Sequence, residues 1–184
     1  MLTYRETSIA GLFVGEARPI EDARGHFARL FCAGELNAVI GSRSIVQINH
    51  SVTNEVGAIR GLHFQIAPYT DMKIVRCLRG RVWDVAVDVR RGSLTYLSWV
   101  AKELSPNNRR MMIIPEGCAH GFQVMEPKSE LLYLHTSAYS LAAEQGIRFD
   151  DPSVGIAWPI PATVMSDRDR GFPLIAPDFT PVVL

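Results

Sequence analysis

The sequence offers little that would draw it to a membrane, to nucleic acid or to an oxidising compartment. Its 184 residues carry no formal net charge, with 19 Lys and Arg set against 19 Asp and Glu. A chain without a dominant field has no electrostatic hold on nucleic acid or an anionic lipid surface, and neither partner is expected. No apolar run is long enough to span a bilayer, and no basic segment precedes an apolar stretch at the N-terminus. The reading is a cytoplasmic protein. Only three cysteines occur, Cys32, Cys77 and Cys118. Odd in number and widely spaced, they fit neither a disulfide framework nor a zinc motif and read as small packed apolar residues. No Ser or Cys stands in a nucleophile elbow, and no glycine loop is spaced to cradle phosphate. Internal repeats and low-complexity blocks are also missing, so residues 1–184 are expected to form one domain.

What the chain does have is alternation. Over Val82 to Val89, residues Trp83, Val85, Val87 and Val89 fall on one side, and Val82, Asp84, Ala86 and Asp88 on the other. Met72 to Leu78 alternates too, with Lys73 on the face of Val75 and Cys77. Further strands are expected at Ser44–Asn49, Thr95–Leu104, Met111–Ile114, Gly121–Met125 and Glu130–Thr136. Turns are expected at Asp22-Ala23-Arg24-Gly25, Arg90-Arg91-Gly92-Ser93 and Ser105-Pro106-Asn107-Asn108. The segment from Phe27 to Ile40 reads either as a short helix or as a strand and loop. Short strands punctuated by turns indicate an all-β sandwich or barrel. Beyond Asp150 the chain turns irregular and rich in Pro, Gly and Asp, and such a tail folds only by wrapping over the body or a partner.

Two stretches combine strand character with chemistry. Gly57 to Gln65 holds Arg60 and His63, which strict alternation would place on opposite faces. Gly61 between them can host a bulge that re-aims one of the two. The second stretch, Ile114-Pro115-Glu116-Gly117-Cys118-Ala119-His120-Gly121-Phe122, resembles the P-x-G-x-x-H motif of the cupin superfamily, a turn that delivers a histidine into a jelly-roll barrel. Many cupins also carry H-x-H and hold a metal, but here His63-Phe64-Gln65 puts a glutamine at the second position. The next carboxylate is Asp71, past a proline turn. Two histidines and a distant carboxylate make a poor ligand set for zinc or iron, so the expected site holds no metal.

A histidine free of metal suits general-base work near neutral pH, better still with a carboxylate to fix its tautomer. For His63 the candidates are Asp84 and Asp169. Lys73 would put positive charge where an oxyanion develops. Tyr133 could supply a proton from the other side. Base, oxyanion stabiliser and acid together point to proton transfer α to a carbonyl.

These residues belong to a longer pattern. Arg60 through Gln65, Lys73, Gly80-Arg81-Val82-Trp83-Asp84-Val85-Ala86-Val87-Asp88, Pro115 through Phe122, Leu132-Tyr133 and Gly146-Ile147-Arg148-Phe149-Asp150-Asp151-Pro152 resemble the dTDP-4-dehydrorhamnose 3,5-epimerases, the RmlC-like cupins. The likeness runs from about Ile9 to Pro173. It implies a cupin-type double-stranded β-helix, or jelly roll, with an N-terminal arm. It also implies a cofactor-free epimerase of a nucleotide-linked 4-keto-6-deoxyhexose, working as a homodimer whose N-terminal segment reaches the neighbour's site. By position, the resemblance implies His63 as base, Asp169 as its partner, Tyr133 as acid and Lys73 beside the C4 oxygen. Arg24 and Arg60 would grip phosphate, Gln47, Asn49, His120, Glu144 and Arg168 would contact substrate, and Tyr139 would stack on the base. Arg29 departs from the pattern, since the family carries a thymine-reading glutamate there and an arginine cannot accept a hydrogen bond. A CDP-linked sugar inverted at one carbon is therefore an alternative, as is a silent sugar-nucleotide-binding cupin.

Overall fold

The computed structural model describes residues 1–176 and 179–184; the tail expectation at 177 and 178 lies outside the described residues. The elements in chain order are strands β1 (Leu2–Glu6), β2 (Phe13–Ala17), β3 (Ile20–Asp22) and β4 (Gly25–Phe27), then helix α1 (Ala33–Ile40). There follow β5 (Gln47–Thr53), β6 (Ile59–Gln65), β7 (Lys73–Arg79), β8 (Val82–Asp88), β9 (Trp99–Leu104), β10 (Arg110–Ile114), β11 (Cys118–Val124) and β12 (Ser129–His135). Short β13 (Glu144–Gly146) comes just before the tail, and the single-turn helix α2 (Asp167–Arg170) lies within it.

A six-stranded sheet has the order β1-β2-β10-β7-β12-β5, and a five-stranded sheet the order β13-β6-β11-β8-β9. The pairings nest, β5 with β12, β6 with β11, β7 with β10 and β8 with β9, all antiparallel. This is one long hairpin wrapped into two facing sheets, the jelly roll expected of an all-β cupin. The N-terminal arm is only partly an arm, because β1 and β2 extend the six-stranded sheet through β10.

Three apolar layers hold the fold. Between the sheets pack Val75, Cys77, Val82, Ala86, Leu104, Met112, Phe122 and Leu131. Outside the six-stranded sheet, Leu36 and Ile40 of α1 cover Met72, Ile74, Met111 and Ile113. Outside the five-stranded sheet, Ile147 and the tail's Val154 and Val182 pack on Val85, Val87 and Val89. Strand β8 is therefore covered on both faces, wholly apolar on the side of Trp83, Val85 and Val87 and carrying Asp84 and Asp88 on the other. Each such aliphatic side chain contributes about 1.5–3 kcal/mol when fully buried, so the tail has ample reason to dock.

Boundaries moved where side chains outbid local pattern. The strand expected from Thr95 begins at Trp99, because Ser93 and Thr95 each donate a hydroxyl hydrogen bond to Asp88 Oδ2 at 2.6 Å and hold a turn. The strand expected at Ser44 begins at Gln47, where pairing with β12 starts. The ambiguous segment after Phe27 resolves into α1. Cys77 and Cys118 are buried thiols whose pKa values burial pushes up to about 11 and about 12, as befits packing residues.

Candidate active site

Between the sheets, where the interior turns polar, lies a cavity of about 830 Å³. One wall comes from the five-stranded sheet and presents His63 and His120. Arg60 also lines the cavity although it is three residues from His63. A register shift explains this: His63 pairs with His120 but Arg60 pairs with Phe122, so β6 carries one extra residue there. Gly61 sits at the irregularity with φ +119°, and a Cβ on it would lie 2.6 Å from Gly121 Cα. Only glycine fits that approach.

The tail brings the carboxylate for His63. Ser166 caps α2 by accepting the Asp169 N–H at 3.1 Å, and the turn aims Asp169 inward. Asp169 Oδ1 lies 2.8 Å from His63 Nε2, and its Oδ2 accepts the Gly61 N–H at 3.1 Å. Burial opposes ionisation of Asp169, but the His63 and Gly61 hydrogen bonds outweigh it and hold the carboxyl below its ordinary range. An ionised carboxylate can only accept, so the shorter contact makes Nε2 the donor and leaves the basic lone pair of the neutral ring on Nδ1. Arg168 Nη2, also a donor, lies 3.1 Å from the same Nε2 and makes no bond to it in that tautomer. Phe172 meets the His63 ring edge-on at 5.7 Å. It reaches there because Gly146 leaves room; a Cβ at that position would lie 2.3 Å from the Phe172 ring. Asp84, the other candidate partner for His63, instead bonds His120 Nε2 at 2.8 Å. Burial raises the pKa of Asp84 despite that partner.

The opposite wall is a row of alternate residues on β5, β12 and β7. The register sets Asn49 against Tyr133 and Gln47 against His135, with His135 against Lys73 on the other side. Tyr133 Oη lies 3.1 Å from Ser51 Oγ, and burial raises the phenol pKa, so it is protonated at neutral pH. Lys73 Nζ donates to the His63 carbonyl at 3.0 Å and thus ties the two walls together. At the rim, Tyr139 Oη donates to Glu144 at 2.8 Å, and Arg168 pairs with the same carboxylate at 2.6 Å. Arg60 lines the cavity while its Nε donates to Thr53 Oγ1 at 2.9 Å and its Nη2 to Val52 O at 3.4 Å.

His63, Lys73, Tyr133, Asp169, Gln47, Asn49, Arg60, His120, Tyr139, Glu144 and Arg168 thus all line one cavity. Arg24 and Arg29 do not. Arg24 pairs with Asp22 at 2.6 Å on the exposed β3–β4 hairpin, and Arg29 pairs with Glu35 of α1. Sequence reasoning passed over Ser51 and His135, which the alternation of β5 and β12 would have found. It weighed Asp71 only as a metal ligand, whereas the side chain bonds His135. Gln65, standing where a second metal histidine would be, braces the loop instead, donating to Tyr69 O at 2.8 Å and accepting the Ser140 N–H at 2.6 Å. Among the described residues no three His, Cys, Asp or Glu side chains are grouped to hold a metal ion.

Comparison with known proteins bears on this geometry. The family model described as dTDP-4-dehydrorhamnose 3,5-epimerase matches residues 6–177. A dTDP-4-dehydrorhamnose 3,5-epimerase of Sinorhizobium fredii is 39% identical, covering 92% of this chain and 88% of that protein. The crystal structure of RmlC from Legionella pneumophila in complex with dTDP-4-keto-L-rhamnose superposes with a TM-score of 0.89 at 36% identity, over 95% of this chain and 93% of that one. ChmJ of Streptomyces bikiniensis, a 3'-monoepimerase solved with dTDP-quinovose, gives a TM-score of 0.85 at 31% identity, over 91% and 85% of the two chains. With the jelly roll, the cavity and the matched length in agreement, the chain belongs to the dTDP-4-dehydrorhamnose 3,5-epimerase family.

Proposed function

We propose that this protein epimerises a nucleotide-diphosphate-linked 4-keto-6-deoxyhexose without a cofactor, in the cytoplasm, as a homodimer. The observation that carries the reading is that His63 and Tyr133 face one cavity from opposite sheets, with Lys73 on the same sheet as Tyr133 and hydrogen-bonded to the His63 carbonyl. Inversion needs this: one group removes a proton from a carbon, and another returns one to the opposite face. The C4 ketone acidifies the hydrogens on C3 and C5. His63 Nδ1 takes one of them, and the electron pair moves to the C4 oxygen as an enolate. Lys73 holds that oxygen, since a fixed cation in a water-poor site stabilises developing negative charge. Tyr133 then gives its phenolic proton to the carbon from the other side, and solvent restores both groups. Asp169 keeps His63 in the productive tautomer. Arg60 meets the diphosphate, and Tyr139, Glu144 and Arg168 form the end nearer the nucleotide. Arg24, on a hairpin whose Ile20 and Phe27 are 72% and 71% exposed, and Arg29 just beyond that hairpin would serve the site of a second copy.

A single-position epimerase is the second reading, favoured by the likeness to a 3'-monoepimerase and by Arg29. Incubation of dTDP- and CDP-linked 4-keto-6-deoxyhexoses in deuterated water, followed by NMR, tests both. Deuterium at C3 and C5 with inversion is expected for the double epimerase, and at one carbon for the single. Exchange should fall by about 10³-fold in His63→Asn. No exchange by the wild-type protein on either sugar overturns the reading, and exchange at the wild-type rate in His63→Asn removes that residue from the base role.

A further inference from the structure

Two buried histidine–carboxylate pairs on the five-stranded side are matched by a third on the six-stranded side, which also carries the more exposed pair His50–Glu130. His135 ends β12, and the alternation Leu131, Tyr133, His135 puts it on the cavity face. Its Nδ1 lies 2.9 Å from Asp71 Oδ2, and the two side chains are 14% and 3% exposed. A carboxylate is buried at a cost unless it is paired, and Asp71 has two partners. Asp71 is shared: its Oδ1 also lies 3.8 Å from Lys73 Nζ. Burial opposes its ionisation, but the Lys73 charge and the His135 hydrogen bond outweigh it and hold the carboxyl below its ordinary range. Asp71 therefore accepts only, Nδ1 of His135 is the donor, and the neutral ring keeps its lone pair on Nε2. The Tyr133 ring lies nearly parallel to the imidazole, 6.2 Å between centroids at 19°, and sets its plane. The other neighbour of Nε2 is Asn49 Nδ2 at 3.4 Å, too long for a strong bond.

We infer that His135, oriented by Asp71, is a further substrate-binding residue: a fixed acceptor that receives a ring hydroxyl of the sugar. The inference rests on the proposed reading, since it needs a hydroxylated ring in the cavity. The C4 ketone has no hydrogen to donate and C6 bears no hydroxyl, which leaves the hydroxyls on C2 and C3. His135 stands in register with Lys73 and shares its carboxylate, so the hydroxyl it takes lies on the side of the ring that faces Lys73. Asp71 then acts as a positioning residue for both the donor to the ketone oxygen and the acceptor of the hydroxyl.

The test compares KM and kcat for the parent 4-keto-6-deoxy sugar nucleotide with those for its 2-deoxy and 3-deoxy analogues, in wild type and in His135→Ala. On the parent, His135→Ala should raise KM about tenfold while solvent exchange into the sugar persists. On one of the two analogues the penalty should shrink below about twofold, because the hydroxyl it concerned is already gone. Should the single variant fail to fold, Asp71→Asn combined with His135→Phe keeps a ring against Tyr133, leaves no unpaired carboxylate, and carries the same comparison. An equal penalty on parent and both analogues, or no penalty at all, overturns the inference. Absence of exchange by the wild type on the parent instead sinks the epimerase reading, so the two failures are told apart.

Discussion

The two walls of the cavity reach a similar richness in polar groups by opposite routes. On the six-stranded side, Ser51, Lys73, Tyr133 and His135 come from three adjacent strands whose register sets their spacing as soon as the sheet forms. On the five-stranded side, the partner of His63 arrives from 106 residues away, on a tail that must first dock. The proposed acid is thus built into the barrel, whereas the proposed base is completed by an appendage. A strand residue cannot drift without breaking ladder hydrogen bonds. A tail residue is only as well placed as the tail's packing.

The sharpest way to break this asymmetry is Asp169→Asn. The amide can present N–H to His63, which moves the imidazole hydrogen to Nδ1 and removes the lone pair from the substrate. A loss in kcat of about 10²–10⁴-fold is expected with KM little changed, read by steady-state kinetics; a loss below tenfold would mean that the tail is not needed to complete the base. Tyr133→Phe probes the other wall. It should leave deuterium exchange near the wild-type rate while lowering net inversion by about 10²-fold, seen by NMR as labelled but uninverted sugar. Full inversion by this variant would exclude the phenol as the acid.

The smallest effect separates the two ends of the tail. Asp88, outside the cavity, is bonded by Arg90, Ser93 and Thr95, and Arg90 bridges to Val182 at the end of the chain. Burial opposes its ionisation, but these hydrogen bonds outweigh it and bring its pKa down to about 2. A carboxyl depressed on folding contributes stability above its ordinary titration range, and that contribution is lost as pH falls through the folded value. Asp88→Asn should cost about 2 kcal/mol at neutral pH in chemical denaturation, with the gap closing near pH 2 and kinetics unchanged. A fall in kcat comparable to that of Asp169→Asn would show that the tail docks as one piece.

The same asymmetry decided how much could be read from the chain. Strand β8 and the inward row of β12 were legible because period-two alternation survives in them intact. Lys73 was legible for that reason; His63 stood out by its chemistry in a strand that breaks alternation at Gly61, the role of Tyr133 came from the family resemblance, and His135, on the same inward row, was passed over. The choice between Asp84 and Asp169 was not, since both are carboxylates and only the docking of the tail assigns one to each histidine. Nor was the start of β9, where Ser93 and Thr95 hydroxyls prefer a buried carboxylate to a ladder. Position 29 could be seen to differ from its family, but not that its arginine would lie on α1's Glu35, away from its own chain's cavity.

Gly61 has a counterpart that restricts anyone who would reshape this pocket. A methyl group on Gly61 would strike Gly121, and one on Gly121 would come within 2.7 Å of the Arg60 carbonyl oxygen. The two bare α-carbons are pressed back to back between the His63–His120 and Arg60–Phe122 pairs, so neither position can be varied to compensate for the other. A library that randomises this cavity should hold both fixed and seek new specificity on the opposite sheet, where side chains rather than backbone meet the ligand space.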